Sequence, residues 1–174
     1  ILVDPSKEPG RTIDLKELGD TLVLRGISMP ILIRFAEILK HRLQEIHEAF
    51  QGAIGEHGYQ GGYCCAYPIK VNQQRQVVEE VFQFGQPYKF GLEAGSKPEL
   101  LAVLAIADND TPIICNGFKD DEYIEMVMLA KKIGRHIIPV VEKYTELDRM
   151  VEHARRVGVR PTIGLRLKLA SRGS

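Results

Sequence analysis

Apolar positions along the chain follow two alternating rhythms. Short runs rich in β-branched residues occupy 63–67, 88–93, 112–115, 136–141 and 162–167. Their starts lie 25, 24, 24 and 26 residues apart. Such runs predict strands, and strands apolar throughout suit a parallel sheet covered on both faces. Between them lie segments with apolar residues at helical spacing. The first is 73–84, with Val77, Val78, Val81 and Phe82 on one side; 97–107, 121–133 and 146–157 follow. Residues 30–33 and 35–50 predict one earlier strand–helix pair, and "QGAIGEHGYQGG" reads as a glycine-rich loop.

Start and stop signals agree with these helices. Ser96 and Glu99 in "SKPE" predict a capping box, with Pro98 in the first turn. Asp120 and Thr145 stand where N-caps belong, and Gly85, Gly134 and Gly158 fall just past helix ends, where a left-handed residue is wanted.

About six β/α alternations predict an α/β fold with a parallel sheet and right-handed crossovers. An open doubly wound sheet and a (β/α)8 TIM barrel both satisfy this. Even spacing and apolar strands favour the barrel. Six units cannot close eight strands, and "LKLASRGS" stops inside a strand-to-loop transition. The expectation is an incomplete barrel from a longer protein, continued beyond Ser174. The chain begins at Ile1 and carries no signal-peptide pattern, in keeping with an internal piece. Residues 1–28 read as a lead-in segment and 29–174 as the partial barrel.

Composition narrows the class. The chain has 174 residues, 44% of them hydrophobic, enough for a sizeable core. Its 23 basic and 23 acidic residues balance, Trp is absent, and no basic stripe interleaves with aromatics. This argues against a nucleic-acid or membrane-surface partner. No apolar run approaches the ~18 residues of a membrane span. Three cysteines, Cys64, Cys65 and Cys115, form no disulfide framework or zinc spacing and fit a reducing cytoplasm.

In a parallel barrel, catalytic groups sit where strands end. Here those positions are Lys70, Glu93, Asn116, Glu142 or Lys143, and Arg166. Lys70 ends the uncharged run of "GGYCCAYPIKVNQ". If it points inward, strand alternation puts Pro68, Ala66 and Cys64 on its side, all small enough to leave room for a bulky group. A lysine in an apolar pocket has its pKa lowered and becomes a nucleophile able to form a Schiff base. The competing reading is a rim lysine reaching for water. Glu93 is either an acid beside that lysine or a carboxylate serving the next helix dipole. Glu99 is explained as the capping partner of Ser96. Arg166 either binds an anionic group or pairs with a carboxylate. "GLEAGSK" fails as a phosphate loop, because its glycines are too close and Ser precedes Lys. The histidines are scattered; His41, His47 and His153 read as residues of solvated helix faces, and no metal cluster stands out.

At "AYPIKVNQ" the sequence resembles the biosynthetic arginine decarboxylase family, pyridoxal-phosphate enzymes of the alanine racemase-like barrel class. "MPILIRFAEILKHRLQEIHEAF", "YPIKVNQQRQVVEEV", "KFGLEAGSKPELLAVLA", "ICNGFKDDEYI" and "GLRLKLASRGS" resemble it in order, over essentially the whole chain. Ornithine and diaminopimelate decarboxylases carry looser versions of the two central motifs.

The resemblance implies that Lys70 holds pyridoxal 5'-phosphate as a Schiff base. Glu93 then matches an acidic position near that link, Glu99 a structural acid, and Arg166 an arginine near the cofactor. The histidine that stacks on the ring, the phosphate cradle and the carboxylate at the pyridine nitrogen are expected beyond Ser174. So is a C-terminal β-domain, which completes the site across the interface of a homo-oligomer. The implied reaction is decarboxylation of L-arginine to agmatine in the cytoplasm, feeding polyamine synthesis. Mg2+ is implied by the family with no ligands located here, and the segment alone is expected to be inactive. Rival readings are a sister enzyme acting on ornithine, lysine or diaminopimelate, a decarboxylase-like regulator without cofactor, and an unrelated phosphate-sugar barrel. The last usually carries its lysine late, whereas Lys70 ends an early strand.

Overall fold

The computed structural model describes residues 1–167, an α/β arrangement. A small antiparallel pair opens it, β1 (Leu2–Val3) with β2 (Ile13–Asp14), and α1 (Leu15–Leu24) follows directly. Then come α2 (Ala36–Glu56), β3 (Ala66–Pro68), α3 (Arg75–Gly85), β4 (Gly91–Ala94) and α4 (Lys97–Ile106). The chain continues through β5 (Ile113–Cys115), α5 (Asp121–Lys132), β6 (Ile137–Val141), α6 (Tyr144–Val157) and β7 (Gly164–Leu165).

Strands β3 to β7 form one parallel sheet in unbroken chain order. A doubly wound sheet reverses its order at a switch point. No reversal occurs among the described strands, so the sheet is a stretch of barrel wall. Right-handed crossovers taken always in one direction put the helices on one face. The core lies between sheet and helices: Leu92, Ala94, Ile113, Cys115 and Ile137 meet Val78, Val81, Leu100, Val103, Tyr123 and Val127. Each Val, Leu or Ile among them contributes about 1.5–3 kcal/mol by leaving water. Alternation is visible in β6, where Ile137, Pro139 and Val141 are buried and Ile138 and Val140 half-buried. The register brings strand ends to one rim, with Pro68 beside Glu93, Ala94 beside Cys115 and Val141 beside Leu165.

Several expectations are corrected. Residues 30–33 form no strand, leaving five parallel strands rather than six among the described residues. Pro30 brings no ladder donor, and Leu32 is exposed rather than packed on a sheet. Helix α2 runs to Glu56, through half of the expected glycine-rich loop. Gly52 and Gly55 each cost about 1 kcal/mol in a helix; stacking of Phe50 on Tyr63, 3.9 Å between ring centroids, helps hold that end. The strand expected at 63–67 is displaced to Ala66–Pro68. In the lead-in, α1 escaped notice although Asp14 caps it, accepting from the Lys16 N–H, with Glu17 three residues on.

Caps mostly hold. Ser96 accepts from the Glu99 N–H and Asp120 from the Tyr123 N–H. Gly134 (φ +92°) and Gly158 (φ +76°) are left-handed as expected. Gly85 is not: it ends α3 with φ −81°, and the left-handed residue is Lys89. Gly85 has a packing reason instead, since a Cβ there would lie 2.7 Å from Phe90 Cβ. Thr145 is not a cap; α6 starts at Tyr144, with Lys143 at the N-cap. His153 is buried, with Nδ1 2.9 Å from the Arg156 guanidinium. His47 packs on Tyr88, 4.7 Å between rings. Both leave the solvated face because their helices turn them towards neighbours. The strand-to-loop transition expected in "LKLASRGS" falls, from residue 168 onward, outside the described residues.

Gly91 gives a stability prediction. A Cβ there would sit 2.5 Å from the Pro112 carbonyl oxygen, against the backbone of the neighbouring strand. Gly91→Ala is expected to destabilise the full-length protein by about 2 kcal/mol through overpacking. Urea unfolding checks this, and an unchanged midpoint would mean that β4 and β5 separate at no cost.

Candidate active site

Strand β3 stops at Pro68, and residues Ile69–Val71 form a single 3₁₀ turn. Ile69 is buried in the core and fixes the turn. Successive 3₁₀ residues are rotated by about 120°, so Lys70 swings away from Ile69 and out over the rim. Strand alternation has therefore ended before Lys70. Pro68, Ala66 and Cys64 do not share its cavity, and Cys64 turns instead to the Lys89 carbonyl at 3.1 Å. The desolvated setting expected for Lys70 is not found: its side chain is 64% exposed.

Lys70 Nζ lies 3.7 Å from Glu93 Oε1, whose side chain is 19% exposed. Glu93 sits on β4 opposite in face to buried Leu92 and Ala94, so the pleat aims it away from the helices. Glu99 rises from the first turn of α4. Its Oε2 accepts from the Gly95 N–H at 2.6 Å and its Oε1 from Gln73 Nε2 at 2.9 Å. It thus secures the loop one residue upstream of its expected partner Ser96. Tyr123, buried on α5, donates its hydroxyl to the Ala94 carbonyl at 2.9 Å and fixes the β4 end from beneath.

Across the rim, Arg166 Nη1 meets Glu142 Oε1 at 3.3 Å. The same oxygen accepts from the Gly117 N–H at 2.7 Å. Burial works to raise the Glu142 pKa, but the Gly117 N–H and the charges of Arg166 and Lys119 outweigh it and hold the carboxyl below its usual range. Lys143 leaves the rim to sit over the Phe118 ring, 4.1 Å from its centroid.

The residues that sequence reasoning missed lie beneath this rim. Lys119 is fully buried and Glu146 is 2% exposed. Lys119 Nζ donates to the carbonyls of Gly117 and Val140, with Glu146 Oε2 at 3.9 Å. Glu146 accepts from the backbone N–H groups of Lys119 at 3.0 Å and Glu142 at 2.9 Å. Burial pushes the Lys119 pKa down, opposed by the Glu146 and Glu142 charges. "GFKDD" offered only ordinary charged residues. The available signal was Glu146 at the third position of a helix following a strand end.

Lys70, Glu93, Glu99, Asn116, Glu142 and Arg166 line one cavity of about 720 Å³ at the strand ends. The predicted rim residues, Lys143 apart, are thereby brought together. A larger groove, about 1040 Å³, lies between α3 and α4, but its walls are mostly apolar and it holds no lysine. Among the described residues no cluster of three or more His, Cys, Asp or Glu side chains could hold a metal ion. No described helix is long and apolar enough to cross a membrane.

The parallel barrel wall agrees with the family and the solved structure that the chain matches. The family described as pyridoxal-dependent decarboxylase, pyridoxal binding domain, matches residues 40–173, and the chain belongs to it. More particularly, it is similar to biosynthetic arginine decarboxylases. That of Rhodopirellula baltica is 53% identical over 174 residues, covering 100% of this chain and 26% of the relative. That of Bacteroides thetaiotaomicron is 49% identical over 175 residues, covering 100% and 28%. The crystal structure of the biosynthetic arginine decarboxylase SpeA from Campylobacter jejuni matches with a TM-score of 0.81 at 33% identity, over 87% of this chain and 25% of that one. The chain spans about a quarter of the length of the curated relatives it matches.

The buried pair yields a prediction. Lys119→Met leaves two carbonyls without a donor and the Glu146 charge without its nearest cation. The full-length protein is expected to lose about 3 kcal/mol. Denaturant unfolding measures this, and a loss below about 1 kcal/mol would mean that water replaces the ammonium.

Proposed function

We propose that this chain is the lysine-bearing part of a pyridoxal-phosphate enzyme that decarboxylates L-arginine to agmatine and carbon dioxide. The observation that carries the reading is Lys70 Nζ, 3.7 Å from Glu93, in a polar cavity at the ends of parallel strands. The donor set suits the cofactor: a reachable amine, a carboxylate beside it, a guanidinium across the rim and space of about 720 Å³. The similarity to arginine decarboxylases supports arginine as the substrate.

In this reading Lys70 holds the cofactor covalently through Nζ, which must be unprotonated to attack. Glu93 Oε1, the nearest carboxylate oxygen, holds or releases the proton exchanged at that nitrogen. Arg166, held by Glu142, offers positive charge to an anionic oxygen of the bound group. When bound, pyridoxal phosphate takes up the electron pair left as the substrate carboxylate departs. Glu99 keeps the Gly95 loop in place, so its role is structural.

Residues 1–28 are, in this reading, a lead-in and 29–174 the barrel part. A homo-oligomer that completes the site across its interface, a cytoplasmic location and polyamine synthesis belong to the same reading. Magnesium enters it from the family resemblance alone.

Borohydride reduction of the full-length, cofactor-loaded protein, followed by peptide mass mapping, tests the assignment. The Lys70 peptide is expected to carry the reduced cofactor; an unmodified Lys70 peptide sinks the reading. Carbon dioxide release from arginine, ornithine, lysine and diaminopimelate tests the substrate, with arginine expected to dominate. Activity on another of the four alone would assign a sister enzyme, and none on any would favour a regulator.

A further inference from the structure

We propose that Glu142 is a positioning residue that sets the Arg166 guanidinium for the cofactor, from a base built by the buried pair Lys119 and Glu146. The inference rests on reading the strand-end rim as the cofactor site. Arg166 is 57% exposed at the side chain, and a long guanidinium left alone at a rim samples many rotamers. Here it is held twice. Its backbone N–H donates to the Val141 carbonyl at 3.0 Å, and its Nη1 meets Glu142 Oε1 at 3.3 Å. Arg166 also lines the cavity that contains Lys70. Guanidinium carries five donors, and the Glu142 contact uses one of them.

Glu142 is itself immobilised at both ends. Its N–H donates to Glu146 Oε2 at 2.9 Å, and its Oε1 accepts from the Gly117 N–H at 2.7 Å. Glu146 in turn is buried and accepts from the Lys119 N–H, while Lys119 Nζ reaches the Gly117 and Val140 carbonyls. The three strand ends β5, β6 and β7 are therefore joined by one chain of charged groups. Of this chain, Glu142 and Arg166 line the cavity, and Arg166, its last member, carries the cation there. A stabilising network of this kind needs no member in the cavity. Glu142 turns it into a device that orients a cation there.

The test is a double-mutant cycle on the full-length protein. The readout is the equilibrium affinity of the apoprotein for pyridoxal 5'-phosphate, by absorbance titration, with thermal melting as the folding control. E142Q and R166A are each expected to weaken affinity about five- to tenfold, the scale of one partly exposed charged contact. In the R166A background, E142Q is expected to add no further loss, because a residue acting through another loses its effect when that other is gone. Losses that multiply would place the effect of Glu142 in the Gly117 loop and overturn the proposal. Unchanged affinity in either single variant would overturn it too. If E142Q melts out, E142D takes its place in the cycle, keeping the charge but shortening its reach. Borohydride labelling of Lys70 in the unsubstituted protein separates the two failures. Labelled Lys70 with a multiplicative cycle sinks the role of Glu142 alone; unlabelled Lys70 sinks both readings.

Discussion

The carboxylate of Glu146 is the contact on which the rim depends. Buried, it accepts from the backbone of Lys119 and of Glu142, which lie in the connections leaving two neighbouring strands. Loops at the ends of parallel strands have no ladder to hold them. One buried acceptor shared between two of them substitutes for that ladder. A buried charge is costly unless paired and hydrogen-bonded, and Glu146 is both, with Lys119 fixing the adjoining carbonyls. The site is thus shaped from below, by groups that do not line it.

The other half of the rim is built differently. Around Lys70 the anchors are uncharged: Ile69 in the core, and the Tyr123 hydroxyl under the end of β4. Glu99 and the Gly95 N–H secure the next loop. The lysine side thus presents an exposed amine beside Glu93 on a turn anchored by Ile69, and the arginine side a guanidinium whose partner Glu142 is held by Glu146.

Much of the fold was legible in the sequence because parallel β/α units repeat. Apolar runs at even spacing, Ser96 and Asp120 at helix starts, and Gly134 and Gly158 at helix ends report local physics that tertiary contacts left intact. The failures arise where contacts distant in sequence decide. Gly52 and Gly55 stay helical while Phe50, one turn earlier, stacks on Tyr63. Residues 30–33 look like a strand but join no sheet, and Pro30 lacks the ladder donor. His153 belongs to a helix face that α5 covers. Of the rim, Lys70, Glu93, Asn116, Glu142 and Arg166 were legible from position alone. Lys119 and Glu146 were not, since nothing local tells a buried charge from a solvated one.

The inward neighbours first inferred for Lys70 show why position and orientation are separate inferences. Strand alternation brings the chain, and with it the lysine, to the C-terminal end of β3. It fails one residue before that lysine, because Pro68 ends the strand and the chain turns into 3₁₀ geometry around Ile69. Continued alternation would have set Lys70 above Pro68 and Ala66. From the turn it lies within 3.7 Å of Glu93, on the adjacent strand. The buried Ile69 side chain sets that turn. Where the amine stands on this rim depends on an apolar residue next to the lysine as much as on the strand before it.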